Sequence, residues 1–160
     1  MALLKLLIIL VLVLIALQDL KERAVYWFLF PLVGGLLALL HFGQTSLHQY
    51  IIMVGINILL VSLILLILYL YTKLIANQKF LNVSFGLGDL LFFYAFALGY
   101  PTYTFLLLFI GSILFSFVVF LVLKSRQNLE TIPLAGLMGI FLIGVTVISS
   151  FPNVPSLYII

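Results

Sequence analysis

Hydrophobic residues run along this chain in six long blocks separated by short polar connections, at about 2–18, 24–40, 50–71, 85–99, 103–123 and 132–150. The blocks show neither the alternation of a half-buried strand nor the single apolar stripe of a surface helix. Most approach the roughly 20 residues that cross a bilayer. Because unpaired backbone groups are not tolerated in lipid, and blocks of this length do not suit barrel strands, each block predicts a helix. The expected fold is all-α: a polytopic membrane protein of six transmembrane helices, forming a single domain over 1–160. The fourth block stands apart. It is short, opens on Gly86 and Gly88, and ends at Gly99-Tyr100-Pro101, where proline stops a helix. Gly34/Ala38 and Ser112/Ser116 have the small-xxx-small spacing of packed membrane helices.

The polar connections alternate in character. Lys21-Glu22-Arg23 follows the first block, Lys73 to Lys79 the third, and Lys124 to Glu130 the fifth, whereas 41–49, 99–102 and the tail after 150 carry no Lys or Arg. All the basic residues except Lys5 therefore fall on one side. The positive-inside rule makes that side cytoplasmic and turns both termini outward, which predicts a multi-pass protein of the cytoplasmic (inner) membrane. Composition agrees: 66% of residues are apolar and 7% charged, against roughly 25% charged in a soluble domain. The net charge of +3 is scattered in ones and twos, a topology signal rather than a nucleic-acid surface. There is no cysteine, so disulfides, zinc–thiolate sites and thiol nucleophiles are excluded. Lys5 precedes an apolar run, as in a signal peptide, but Ala16-Leu17-Gln18-Asp19 lacks a small-x-small cleavage pattern and predicts a retained helix.

Few side chains remain to carry chemistry. His41 and His48 fall in an outward connection and read as surface loop residues rather than ligands. Asn57 lies inside the third block and predicts a hydrogen bond between helices. Tyr26, Trp27, Tyr71, Tyr100 and Tyr103 lie near block ends, as interfacial anchors do. The aspartates differ. There are only two, Asp19 and Asp89, and an acid at a bilayer centre costs at least ~2.5–3.5 kcal/mol on insertion scales, so function is the first reading. Sidedness puts Asp19 at the cytoplasmic end of the first helix and Asp89 about one turn inside the same end of the fourth. Two carboxylates brought together in a low-dielectric site share a proton and titrate as a pair. Such a pair is suited to general acid–base chemistry that requires no metal. That geometry requires helices one and four to be neighbours. Glu22 and Glu130 are the only other acids. Pairing with Lys21, Arg23 or Arg126 in a solvated loop is their ordinary role, and attraction of a basic substrate segment is the alternative.

The residues around the two aspartates resemble a family. Gly86-Leu87-Gly88-Asp89 is similar to the GxGD signature of intramembrane aspartyl proteases. Gln18-Asp19-Leu20-Lys21-Glu22-Arg23 resembles the other catalytic segment of the prepilin and preflagellin peptidases (type IV leader peptidases), an acid followed by a basic cytoplasmic loop. Ile132-Pro133 resembles a proline motif late in those proteins, and six helices with acids on the first and fourth match their membrane core. The resemblance implies an aspartic endopeptidase that removes the basic leader of type IV prepilin-like substrates at the cytoplasmic membrane face. It assigns Asp19 and Asp89 as catalytic, Gly86 and Gly88 as shaping the site, Glu22 and Glu130 as possible contacts for the leader, and no metal. The chain departs from the bacterial pattern in Ala24-Val25-Tyr26-Trp27, where an Ile-Pro-Asn is usual, and in Leu91, where a lysine is usual. The cytoplasmic cysteine-rich, zinc-binding domain is not expected, so N-methylation is not implied. Presenilin-type proteases share the GxGD text, but their acids lie on adjacent late helices. Two other readings compete: a proton-coupled transporter using the acids as a relay, and an inactive relative serving as a membrane assembly protein.

Overall fold

The computed structural model of the protein describes residues 1–74, 85–124, 132–151 and 156–158. Among these the chain forms six helices and no sheet: α1 (Ala2–Glu22), α2 (Leu29–Phe42), α3 (Leu47–Leu74), α4 (Leu87–Ala97), α5 (Thr102–Lys124) and α6 (Leu134–Ile148). α1, α3 and α5 are long and apolar enough to cross a membrane. α2, α4 and α6 have 14, 11 and 15 residues, which at about 1.5 Å per residue is shorter than a hydrocarbon core of roughly 30 Å.

The bundle is built around its shortest member. α4 touches α2, α3, α5 and α6, while α1 closes the ring between α2 and α6. Composition explains the central place of α4, whose Phe92, Phe93, Ala95, Phe96 and Ala97 are all buried. Edge-to-face aromatic pairs tie it outward, Phe93 to Phe109 at 4.8 Å, Phe96 to Phe105 at 5.7 Å and Phe92 to Phe30 at 6.5 Å between centroids. Gly34 lets α2 come close, since a Cβ there would lie 3.2 Å from Ala95. Ser112 and Ser116, both fully buried, return their hydroxyls to the carbonyls of Phe109 and Ser112 on their own helix, so they pack without leaving a polar atom unpaired.

α1 and α6 form the most extensive pair and run antiparallel. At one end the Lys5 ammonium donates to the Ser149 carbonyl at 3.1 Å and to its hydroxyl at 3.3 Å. At the other, Asp19 meets the first turn of α6. Both chain ends of this pair therefore lie at the same end of the bundle. Lys5, the basic residue that breaks the sidedness pattern, there serves the negative end of the α6 dipole. Lys21, Lys73 and Lys124 lie in the last turns of α1, α3 and α5, and Arg23 caps α1. All four belong to the opposite end, with the acids.

One expectation is corrected. α1 and α4 do not pack against each other. α6 intervenes, and the two acids approach one another across its N-terminus rather than across a shared helix face.

Candidate active site

Both acids stand at helix ends. α1 stops three residues after Asp19 because Arg23 takes a left-handed conformation, φ 55° and ψ 19°, that an α-helix cannot continue. The turn behind it is fastened by the Gln18 side chain, which accepts the Tyr26 amide at 3.1 Å. α4 starts after Gly86, whose backbone is extended, and Asp89 lies in its first turn.

α6 supplies what joins them. Pro133 sits at its N-cap and has no amide proton to satisfy, but the next amides of a helix have no partner inside it. No side chain of the α6 N-cap provides one. Instead the Ala135 amide donates to Asp89 Oδ1 at 2.9 Å, and the adjacent Gly136 amide donates to Asp19 Oδ2 at 2.6 Å. Acids from two separate helices thus cap a third. The carboxylates are held on consecutive amides at one level of the bundle. The positive end of the α6 dipole faces both, a stabilisation for carboxylates of up to ~2 kcal/mol in partly buried geometry. Both side chains keep partial exposure.

Glycines set the clearances, in unequal ways. A Cβ on Gly136 would lie 3.0 Å from both Cβ and Oδ2 of Asp19 and 3.4 Å from the Ala16 carbonyl oxygen. Only glycine there lets α1 close on the start of α6. A Cβ on Gly86 would sit 3.0 Å from Asp89 Oδ2, so the first glycine of Gly86-Leu87-Gly88-Asp89 leaves room for the carboxylate itself. The second faces elsewhere: the space beside Gly88 is taken by the Phe30 ring of α2, 3.2 Å from where a Cβ would be. Gly88 is a packing glycine and Gly86 is the one beside the acid.

The remaining candidates distribute as follows. Glu22 is the last residue of α1 and is exposed. Glu130 lies outside the described residues, as do Lys79 and Arg126. Among the described residues no group of His, Asp or Glu has the size of a metal site. His41 does not lie in a surface loop: it sits in the last turn of α2, is fully buried and bonds the Leu98 carbonyl through Nδ1 at 3.2 Å. Asn57 makes the interhelical contact expected of it, donating to the Ala97 carbonyl of α4 at 3.0 Å, and also to the Tyr100 carbonyl in the following connection at 2.9 Å. Reasoning from sequence missed Ala135 and Gly136, which contribute backbone rather than side chains. The available signal was Pro133 opening a block with a small residue close behind.

Comparison with models of protein families, with curated proteins and with solved structures finds no match for this chain.

Proposed function

We propose that the protein is an intramembrane aspartic endopeptidase of the prepilin-peptidase type, with Asp19 and Asp89 as its catalytic pair. One observation carries the reading: acids 70 residues apart in sequence are held on the consecutive amides of Ala135 and Gly136. An isolated acid near a membrane has many uses. Two acids fixed at one level and partly exposed suit a proton-sharing pair.

The ionised carboxylate removes a proton from a water as its oxygen attacks the scissile carbonyl carbon. The protonated carboxylate gives its proton to the carbonyl oxygen, forming a gem-diol. On collapse the carboxyl that took the water's proton delivers it to the leaving amine while the other carboxylate recovers a proton from the gem-diol, so the C–N bond breaks and a carboxylic acid and an amine are released. The start of α6 keeps both acids oriented without covalent participation.

In this reading α2, α4 and α6 complete six crossings of the cytoplasmic membrane and both termini face outward. The acids then lie at the cytoplasmic face, where Lys21, Arg23, Lys73 and Lys124 gather. The substrate is a prepilin-like protein with a basic leader and a hydrophobic helix, and exposed Glu22 is suited to attract the leader.

The test is cleavage of a prepilin-like substrate by the purified chain in liposomes, beside Asp19→Asn and Asp89→Asn. The expected result is a single cut near the leader boundary by the wild type and none by either variant. Equal cleavage by all three would eliminate the aspartyl mechanism, and no cleavage by the wild type across a panel of basic-leader substrates would favour an inert assembly protein.

A further inference from the structure

At the end of the bundle away from the acids, α4 stops inside the protein. A helix leaves its last carbonyls without intrahelical partners, and in an apolar interior these must be met by other groups. The fully buried side chains of Asn57 on α3 and His41 on α2 meet them. Asn57 Nδ2 donates to the carbonyls of Ala97 and Tyr100, and His41 Nδ1 pairs with the carbonyl of Leu98. Since a carbonyl only accepts, the imidazole carries its proton on Nδ1. Its Nε2 is buried and finds no hydrogen-bond partner among the described residues.

Most other side chains of α4 are Phe, Leu and Ala, which hold it by shape, as in its ring pairs and the Gly34–Ala95 approach; hydrogen bonds from α2 and α3 to backbone carbonyls add a directional stop along the axis. Tyr94 Oη does meet Ser62 Oγ at 3.0 Å, but both groups sit on rotatable side chains that can follow a slide. Backbone carbonyls cannot.

We propose that Asn57 and His41 are positioning residues for Asp89: by clamping the C-terminal carbonyls of α4 they set how far that helix reaches, and so whether its carboxylate meets the Ala135 amide. Asp89 lies about two turns of helix from the clamp, and α4 is rigid over so short a distance. The importance of this register for catalysis rests on the peptidase reading. The register itself does not.

The test is residue-resolved amide exchange on the full chain in lipid nanodiscs, with cleavage kinetics alongside. In Asn57→Leu/His41→Leu the Ala135 amide loses its acceptor and exchanges at least tenfold faster, while Gly136, held by Asp19 of α1, does not change. In the same variant kcat falls by roughly a hundredfold, as expected for a misplacement of about 1 Å, with KM little altered. Unchanged exchange at Ala135 would overturn the proposal. So would a uniform rise along α6, which reports loosening rather than a shift, or a shift at Ala135 without a fall in kcat in an active enzyme.

A second pair of variants keeps the idea exposed if the double variant does not fold. His41→Asn places its amide nitrogen near the position of Nδ1 and retains the Ala135 protection, whereas His41→Gln places it near Nε2 and does not. Equal protection in both would show that the Nδ1 bond is not the clamp. Should the wild type cut no substrate, the exchange measurements still decide the register while the peptidase reading fails separately.

Discussion

The two ends of this bundle solve one problem in opposite ways. Near the acids, the N-terminus of α6 presents unpaired amides, and carboxylates from α1 and α4 accept them. At the other end, the C-terminus of α4 presents unpaired carbonyls, and an amide and an imidazole from α3 and α2 donate to them. Both are helix ends capped by side chains of other helices, because the residues that flank them, Pro133 and Leu98, have no polar side chain to do it. Their environments differ. Asn57 and His41 are fully buried, while Asp19 and Asp89 keep partial access to solvent. A cap that only holds structure gains from being dry, since each hydrogen bond is stronger where water cannot compete. A cap that also moves protons must admit a water.

Charge removal at the acidic end separates those roles most sharply. Asn at position 19 or 89 keeps an oxygen that accepts the α6 amide, so the fold is retained, while proton transfer is lost. Cleavage is expected to fall by about 10²–10⁴-fold, the usual contribution of a general acid or base, with the unfolding midpoint within a few degrees of wild type. A variant that cleaves normally would reduce the acidic end to a cap like the other.

Clearance comes next. Gly136→Ala puts a methyl against Cβ and Oδ2 of Asp19 and forces α1 away from α6. An overpacking cost of about 1–3 kcal/mol and a tenfold or greater loss of cleavage are expected together, read by denaturant unfolding and initial rates. Gly88→Ala meets only the edge of Phe30 and is expected to lose stability without a matching loss of kcat per folded molecule. Equal kinetic damage from both would return Gly88 to the site.

At the dry end, Asn57→Leu removes two hydrogen bonds at about 0.6 kcal/mol each on average, rising toward ~1.7 where the partner is stranded. A loss of roughly 1–3 kcal/mol in unfolding free energy is expected. The smallest effect belongs to Glu22→Gln. An exposed charge contributes about 0.2–1 kcal/mol to an ion pair, so KM for a basic-leader substrate should rise less than about fivefold at low salt and not at all for a neutral leader.

The sequence announced some of this plainly. Blocks of apolar residues, in which the backbone must satisfy its own polar groups, point to the helical class, and the helix boundaries follow Pro101, Pro133 and the polar connections closely. Asp19 and Asp89 stood out by rarity alone, and Asn57 was legible because a lone amide in an apolar run must find partners in another helix. His41 was not. Adjacency to a polar connection placed it in a loop, yet α2 extends to Phe42 and the unpaired carbonyl of Leu98 draws the imidazole inward.

The amino-acid sequence by itself determined the apolar helical class, the gathering of most basic residues in alternate connections and which acids stand out, since these depend on properties that each segment carries alone. Only the tertiary structure decided that α1 and α4 stay apart, that α6 joins their acids through two backbone amides, and that of two glycines before Asp89 one serves the carboxylate and the other a phenylalanine. Those outcomes depend on groups every residue has, or on the absence of a side chain. They acquire meaning only when another helix arrives opposite them.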